Sequence, residues 1–438
     1  MGSPRDVQST KPRDKTLRVL IATDGWFPDI KGGVARVATE TATRWARAGN
    51  EVVVLVPRHE QRRTETITEG GALRVIPALP RGPAPQVLTD PLFTRRHATR
   101  LGAQAFDVVV THEPTTAYGL LAARLDAPML YVFHADVVAE SRYLRSVLPL
   151  GRERLALAAL DAPLRRLTTV SLHGATSIVV LSEFSRRILA RVSPSAADRA
   201  TLVHGAVDTD RFSPHGREAA RRRLGVSSGT KLVFTVRRLV PRMGLGELID
   251  AVALLGDVDG LRVVIAGGGT LMGDLEARRA QRGLEGTVSL LGSISDDDLV
   301  LWHKAADLFV LPTLAQEGFG MVTVEALASG TPVVGTPVGA TPELIEPLEP
   351  RLVTDGTDPI SLATTLRTGL EIATPAFRKR CREYARTRFS WDAVMPEWTR
   401  LLDETARAAN QLSTVASPAG AGTSRVSGRR RRAGRTGD

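Results

Sequence analysis

The sequence predicts an α/β protein with two Rossmann-like domains, each built on a parallel sheet. Runs of aliphatic and β-branched residues, such as Glu-Val-Val-Val-Leu-Val at 51–56, alternate along the chain with helical patterns. Such near-continuous apolar strands are typical of parallel sheets that helices cover on both faces. The 438 residues are enough for two domains of ordinary size, each with its own core.

The predicted strands divide between the two domains. They lie at 17–22, 51–56, 73–76, 107–110, 128–133 and 177–181 in the first domain, and at 231–236, 261–266, 306–312 and 332–336 in the second. A polar stretch before Lys231 connects the domains. We predict a first domain at 17–208, a second domain at 209–390 and a terminal helix at 391–411.

The net charge of +11 is concentrated at the two ends of the chain. Residues 1–16 carry a net charge of +2, and residues 412–438 carry +5. Both segments are polar and rich in small residues, so we predict two disordered basic tails. No aromatic residues accompany the arginines of the second tail, which argues against a nucleic-acid partner. Peripheral contact with an anionic membrane surface stays open.

Cysteine content and hydropathy narrow the class of protein further. The single cysteine, Cys381, excludes an internal disulfide and a cysteine-based metal cluster. No apolar run reaches the roughly 18–20 residues that a membrane-spanning helix needs, and the polar N-terminus is unlike a secretory signal. We therefore expect a cytoplasmic protein, with peripheral attachment to the inner membrane face as an open alternative.

The stretch Glu-Gly-Phe-Gly-Met-Val at 317–322 leads from a predicted buried strand into a helix that ends at Gly330. A glycine-bearing turn before a helix leaves backbone N–H groups free at the positive end of the helix dipole. Glu317 lies on the turn and Glu325 about one turn into the helix. This arrangement can hold an anion at its centre and hydroxyl groups at its edges, as in a phosphorylated sugar. Glutamate also occurs at helix N-termini for capping alone.

Other candidate residues follow predicted strands, at the carboxyl edge where open α/β sheets bind ligands. They are Gly32, Gly33, His112, His134, Arg238 and Arg242. Paired glycines let backbone N–H groups approach a ligand closely, and arginine can pair bidentately with a phosphate. The alternatives are a flexible turn, structural histidines and a solvated arginine loop.

The segments at 317–320 and 325–334, Glu-Gly-Phe-Gly and Glu-Ala-Leu-Ala-Ser-Gly-Thr-Pro-Val-Val, closely resemble the donor-sugar loop of the retaining family-4 glycosyltransferases. The resemblance covers about 17–410. It implies the GT-B fold, in which two Rossmann-like domains face each other across a cleft. The N-terminal domain would then bind the acceptor and the C-terminal domain the nucleotide-diphosphate sugar.

The resemblance also implies roles for individual residues. Glu325 would hold the ribose hydroxyls and Glu317 the hydroxyls of the sugar, while Arg238 would stabilise the departing diphosphate. The implied catalytic residues are His134, Arg238 and Glu317. The implied donor-binding residues are Gly32, Gly33, Arg242, Ser293, Ile294, Gly318, Phe319, Gly320, Met321, Val322 and Glu325.

Several positions depart from the family pattern. Arg237 replaces the glycine that usually precedes the arginine, and Met243 stands where a lysine is expected. Arg242 is a candidate for the missing second positive charge. At the hinge, Gly205 and Ala206 stand where Asn-Gly is usual. The substitution at Met243 motivates an alternative function, a non-catalytic or weakly active nucleotide-sugar-binding protein.

The sequence predicts no cofactor and no metal requirement. No D-x-D motif occurs where a metal-using transferase would need one, so arginine and helix-dipole charge would replace the cation. Two other enzyme classes have requirements of their own. A glycosidase would need Glu317 and Glu325 about 5–9 Å apart across one bond, and an oxidoreductase would need a G-x-G-x-x-G turn. The sugar and the acceptor (lipid, polysaccharide or small molecule) are not identified.

Overall fold

The computed structural model describes residues 16–30, 32–59, 64–68, 71–80, 86–102, 106–147, 151–256 and 258–415. Nearly all of both predicted tails lies outside these ranges, so their predicted disorder stays a prediction. The terminal helix is longer than predicted: it extends from Trp391 to Val415, continues through Pro396, and includes residues 412–415 of the predicted tail. Within the described ranges no helix combines the length and the apolar character that crossing a membrane requires.

The first domain contains eight described strands and eight described helices. Its strands are β1 (Arg18–Ala22), β2 (Glu51–Pro57), β3 (Glu65–Thr68), β4 (Ala72–Leu79), β5 (Val108–Thr111), β6 (Met129–Phe133), β7 (Ser177–Val180) and β8 (Ala200–Leu202). Its helices are α1 (Gly33–Arg47), α2 (Gln86–Leu101), α3 (Pro114–Ala122), α4 (Val137–Val147), α5 (Arg152–Ala159), α6 (Asp161–Gly174), α7 (Glu183–Val192) and α8 (Pro194–Asp198).

The second domain is built in the same way on a smaller sheet. Its strands are β9 (Lys231–Val236), β10 (Leu261–Ala266), β11 (Val288–Leu290), β12 (Leu308–Leu311) and β13 (Val333–Gly335). The helices that follow the first domain are α9 (Arg217–Arg223), α10 (Leu245–Leu255), α11 (Met272–Gln281), α12 (Asp296–Ala305), α13 (Met321–Ala328), α14 (Thr341–Ile345), α15 (Pro359–Ile372), α16 (Pro375–Phe389) and α17 (Trp391–Val415).

Both sheets reverse their strand order at a central strand. The first sheet runs β3-β4-β2-β1-β5-β6-β7-β8, parallel except for the β3–β4 pair, and the second runs β11-β10-β9-β12-β13. Leu20 of β1 pairs with Val53 and Val109 on either side, and β9 lies in the same way between β10 and β12. Open α/β sheets bind ligands at such a reversal. The loops after β1, β5, β9 and β12 are therefore the expected binding loops.

The chain passes between the two domains at two neighbouring points. Val207 bridges Ser390 in parallel, and its N–H donates a hydrogen bond of 2.7 Å to the Phe389 carbonyl. Beyond this point α17 packs on the first domain, where the rings of Trp398 and Trp45 meet edge to face at 6.2 Å. The last helix thus belongs structurally to the first domain.

Polar contacts between the domains hold the cleft closed. The Ser182 hydroxyl donates a 2.6 Å hydrogen bond to the Gly318 carbonyl. At the N-terminus of α7, the carboxylate of Glu343 accepts hydrogen bonds from the N–H groups of Glu183 and Phe184, at 2.8 and 2.6 Å. A carboxylate is favoured at this end of a helix by the helix dipole. The turn at Gly318 is therefore fixed by side chains of the opposite domain.

Candidate active site

Two adjoining cavities lie in the cleft, with volumes of about 510 and 330 Å³. The residues that line both come from the start of α1, from the end of β9 and the loop after it, and from the start of α13. They include Gly32, Gly33, Arg237, Arg238, Met321 and Val322. The boundary between the two cavities is therefore formed by a glycine turn, two arginines and a helix N-terminus. This combination suits an anion.

All of the residues that the sequence predicts for the site line one cavity or the other. Besides the shared residues, the larger cavity is lined by His134, Arg242, Glu317, Gly318, Phe319 and Gly320. The smaller cavity is lined by Ser293, Ile294 and Glu325. The structure thus brings the predicted residues together in two groups, with the predicted phosphate-binding residues between them.

The turn before α13 is shaped by glycine. Gly320 is the N-cap of α13 and has a φ of 85°, and Gln316 has a φ of 60°. A Cβ atom at position 318 would come within 2.8 Å of the His134 carbonyl oxygen, so only glycine fits this closely against the first domain. The first N–H groups of a helix have no partner within the helix itself, and Met321 and Val322, in the first turn of α13, line both cavities.

Glu317 is paired with Arg237, which the sequence had not indicated as a site residue. The guanidinium Nη2 contacts the Glu317 carboxylate directly, and it also lies 3.2 Å from Thr313 Oγ1 and 2.9 Å from Met243 Sδ. Both charged side chains are about nine-tenths buried. The cationic group of Arg237 therefore touches the end of the side chain that replaces the expected lysine. The only signal in the sequence was an arginine in place of glycine.

Arg238 and Arg242 occupy different environments. Arg238 is exposed, lines both cavities and donates no side-chain hydrogen bond within the described residues. Arg242 donates a 2.7 Å hydrogen bond to the Gln316 carbonyl and lies 3.7 Å from Glu140 of the first domain. Arg242 therefore supports the turn before α13, whereas Arg238 is available to a ligand.

Glu325 is buried and faces Arg36, a residue of α1 in the first domain. Arg36 Nε lies 3.4 Å from Glu325 Oε1, and its guanidinium also stacks on Phe27 at 4.3 Å. Burial raises the pKa of Glu325. His303 lies 3.7 Å from Glu325, but burial lowers the pKa of His303 to about 3, so this contact involves a neutral ring. Arg36 was missed because nothing in its helical sequence context marks it.

His134 and His112 form a stacked pair on the first-domain side of the larger cavity. His112 Nδ1 and His134 Nε2 are 2.9 Å apart. Burial lowers the pKa of His134 to about 4 and also lowers the pKa of His112, on which the neighbouring ring acts as well. Both rings are therefore neutral at pH 7, and one donates its N–H to the other.

Phe319 explains the unusual hinge sequence. Its ring lies 6.0 Å from the ring of His204, and a Cβ atom at position 205 would come within 2.6 Å of it. The buried phenyl ring therefore requires glycine at a position where the family usually has asparagine. The hinge at Gly205 and the donor loop at Phe319 therefore pack directly against each other.

The carboxylates do not have a glycosidase arrangement. Glu317 lines the larger cavity and Glu325 the smaller one, with the anion-binding boundary between them. Each carboxylate has its own arginine, Arg237 and Arg36 respectively. Two carboxyl groups that flank one scissile bond would share a single pocket. Among the described residues there is no group of three or more His, Cys, Asp or Glu side chains that could hold a metal ion.

The sequence matches two family models that together cover most of the chain. Residues 31–211 match "Glycosyltransferase Family 4" and residues 216–388 match "Glycosyl transferases group 1". The D-inositol 3-phosphate glycosyltransferase of Mycolicibacterium smegmatis is 34% identical over 57% of this chain and 59% of its own length. The enzyme of that name from Corynebacterium glutamicum is 29% identical over 85% of this chain and 92% of its own length.

Solved structures show the same fold at lower identity. Sucrose-phosphate synthase from Thermosynechococcus elongatus has a TM-score of 0.74 at 20% identity, covering 89% of this chain and all of that one. An Anabaena protein in complex with UDP and glucose has a TM-score of 0.66 at 19% identity, covering 91% of this chain and all of that one. Two facing domains, the two family matches and the donor-loop sequence lead to one conclusion: the chain belongs to the family-4 glycosyltransferases and has the GT-B fold.

Proposed function

We propose that this protein is a retaining glycosyltransferase that moves a hexose-type sugar from a nucleotide-diphosphate sugar to an acceptor. The observation that carries the proposal is the boundary between the two cavities, where Gly33, Arg238 and the N-terminus of α13 converge. A diphosphate at this boundary would direct the nucleoside toward Glu325 and the sugar toward Glu317. The two carboxylates would then bind hydroxyl groups at opposite ends of the donor.

In the proposed reaction the fixed positive groups stabilise the departing diphosphate. Arg238 can pair with phosphate oxygens, and the N-terminus of α13, which favours an anion, lies at the same boundary. Because these groups are already positioned, they favour the charge that develops as the glycosidic bond breaks. The acceptor hydroxyl attacks the same face of the sugar, and its proton passes to an oxygen of the leaving phosphate. No metal ion enters this scheme.

The acceptor would enter the larger cavity from the first-domain side. The relatives are named for D-inositol 3-phosphate, which makes a small polyol one candidate, and lipid or polysaccharide acceptors remain alternatives. Cytoplasmic location and peripheral attachment to an anionic membrane also stay predictions.

A screen of nucleotide sugars by thermal shift tests the donor part of the proposal. A ligand that binds the folded state raises its apparent stability in proportion to its affinity. We expect one class of nucleotide-diphosphate sugar to raise Tm and to be turned over, with release of the nucleoside diphosphate and a product of unchanged anomeric configuration. If no nucleotide sugar shifts Tm or is consumed, the proposal is wrong.

A non-catalytic nucleotide-sugar-binding protein is the second candidate, and one observation favours it. Met243 is buried where the family has a lysine, and the nearby Arg237 is engaged with Glu317. If that pair does not open for the donor, the sugar hydroxyls lose their carboxylate partner. Binding of a nucleotide sugar without hydrolysis or transfer would support this candidate over the enzyme.

A further inference from the structure

Arg36 reaches from the first domain into the smaller cavity, where the proposed function places the nucleoside of the donor. It lies in the first turn of α1, and its N–H donates a 3.1 Å hydrogen bond to the carbonyl of Gly32, the N-cap residue. Arg36 lines the smaller cavity together with Glu325 of the second domain. Arg36 therefore brings a positive charge of one domain to a carboxylate of the other.

Contacts on several sides fix the guanidinium of Arg36. It stacks on the ring of Phe27 at 4.3 Å, and its Nε lies 3.4 Å from Glu325 Oε1. Its Nη2 lies 3.8 Å from Oδ2 of Asp296, and that carboxylate also lies 3.3 Å from Arg211. A planar guanidinium that is stacked on a ring and paired at its edges is preorganised. The position of Arg36 beside Glu325 is therefore set before a ligand arrives.

Glu325 needs a nearby cation to keep its charge. The side chain is buried, and burial raises the pKa of its carboxyl group. Arg36 lowers the pKa of Glu325, the Asp296 carboxylate raises it, and Arg211 lowers it again. His303 adds no charge, because its ring is neutral. A carboxylate accepts hydrogen bonds at both oxygens, whereas a carboxylic acid uses one oxygen as a donor. Arg36 therefore favours the form of Glu325 that can accept from both hydroxyls of a ribose.

We propose that Arg36 is a positioning residue for the donor: it holds the Glu325 carboxylate in place for the ribose hydroxyls and so completes the nucleoside site from the first domain. The proposal rests on the glycosyltransferase function proposed above and adds a residue to its donor site. A carboxylate has about four lone-pair sites, so the contact with Arg36 leaves acceptor sites for the ribose. Without the guanidinium, the buried carboxyl group would bind a proton in preference to two hydroxyl groups.

The test measures how strongly the protein prefers a ribose to a sugar ring without hydroxyl groups. The probes are UDP, ADP and GDP, each paired with its 2′,3′-dideoxy counterpart, and calorimetry gives the Kd of each. We expect the wild-type protein to bind at least one ribonucleotide on the order of 100-fold more tightly than its dideoxy counterpart, and Arg36→Gln to reduce this ratio about tenfold. An unchanged ratio in Arg36→Gln, even with weaker binding of both nucleotides, would overturn the proposal. Tighter binding of the ribonucleotide would also overturn it, because Arg36 would then compete with the ribose.

Arg44→Gln is the matched control for Arg36→Gln. Arg44 lies on the same helix, pairs with Glu40 and stacks on the ring of Trp391 at 4.4 Å. Its substitution thus removes a stacked and paired guanidinium from α1 at a site outside the two cavities. We expect Arg44→Gln to keep the wild-type preference for ribose. An equal loss of preference in both variants would indicate a general effect on α1 and would contradict a specific role of Arg36.

A double variant asks whether Arg36 acts through Glu325. Glu325→Gln removes the carboxylate, and the double variant with Arg36→Gln removes both charges, so that neither stays unpaired in the cleft. We expect the double variant to prefer ribose no less than Glu325→Gln alone does, because interacting residues are not additive. A further loss of preference would contradict the proposal. Failure of the wild-type protein to bind any of the three ribonucleotides would refute the proposed function and this inference with it, whereas binding without a preference for ribose would refute the inference alone.

Discussion

Arg237 gives the cleft a charge distribution that differs from the expected family pattern. Its guanidinium lies at Met243 Sδ and on the Glu317 carboxylate, so a cation reaches the region of the missing lysine from another position in the loop. Arginine replaces the expected glycine at position 237, and methionine replaces the expected lysine at position 243. Together the two replacements move one positive charge from position 243 to position 237. We propose that Arg237 both positions Glu317 and contributes to the positive potential at the diphosphate.

A double substitution tests whether the positive charge has moved from position 243 to position 237. Arg237→Gly alone leaves the buried Glu317 carboxylate unpaired, which typically costs about 3–5 kcal/mol of stability, and we expect turnover to fall on the order of 100-fold. Adding Met243→Lys restores a cation beside the carboxylate and should recover most of Tm and turnover. Donor turnover and thermal melts measure both effects. A double variant no better than Arg237→Gly would show that the two positions are independent.

Glu317→Gln probes the sugar-binding carboxylate. The amide cannot form the ion pair with Arg237 and accepts hydrogen bonds from the sugar hydroxyls more weakly. We expect nucleoside diphosphate binding to be retained while transfer is lost, by roughly 100-fold or more in kcat. Calorimetry with the nucleoside diphosphate and a transfer assay measure the two properties separately. Wild-type turnover in this variant would remove Glu317 from the mechanism.

At the scale of elements, helix α7 connects the two domains through its N-terminus. Its first N–H groups donate to Glu343 of the second domain, and its N-cap Ser182 also holds the Gly318 carbonyl. The sequence carries a local signal for the cap at Ser182, since serine followed by a helical pattern is a standard helix start. It could not predict Glu343, because a contact between residues about 160 positions apart leaves no local pattern.

Glu343→Ala should loosen this connection. Two N–H groups of α7 lose a charged acceptor, and hydrogen bonds to charged groups contribute about 1.5–3 kcal/mol each. Because the contact joins two domains, we expect the KM for the donor to rise several-fold while the unfolding of each domain changes little. Steady-state kinetics measure this rise, with Glu346→Ala, an exposed neighbour, as the control. Equal KM values in the two variants would mean that the contact does not affect closure.

At the scale of the whole molecule, local sequence patterns predict the fold. They do not predict which side chains pair with the carboxylates of the site. Parallel strands with apolar runs predict two sheets, and glycine-rich loops after strands predict where ligands bind. The edge strands β3, β8 and β11 were missed because all three are short and β3 is largely polar. Arg36 and Arg237 were missed because their roles depend on the packing of one domain against the other.

Buried histidines make the stability of the molecule sensitive to acid. The folded pKa is about 4 for His134 and about 3 for His303, against 6.5 in the unfolded chain. Below pH 6.5 the unfolded chain binds these protons and the folded chain does not, so each histidine lowers the unfolding free energy as the pH falls toward its folded pKa. Glu113 and Glu325, whose pKa values are raised, act in the opposite direction.

His303→Gln isolates one of these contributions. The ring lies fully buried among Phe212, Phe234 and Phe309, so the substitution should lower stability at every pH. The diagnostic effect is on the slope of the unfolding free energy against pH. Between pH 6 and 4, the loss of this histidine should reduce the slope by up to roughly 1.4 kcal/mol per pH unit relative to the wild type. Denaturant titrations at several pH values measure this slope. Parallel curves for both proteins would show that His303 is not held neutral by the fold.

The stabilisation of a departing diphosphate by Arg238 is tested most directly by turnover of a nucleotide sugar in the presence of EDTA. We predict that the wild-type protein releases nucleoside diphosphate under these conditions and that Arg238→Ala lowers kcat on the order of 100- to 1000-fold. Arg351→Ala, which removes an exposed arginine of the same domain, should retain full activity. Wild-type turnover that disappears with EDTA, or an Arg238→Ala variant as active as the wild type, would contradict the account.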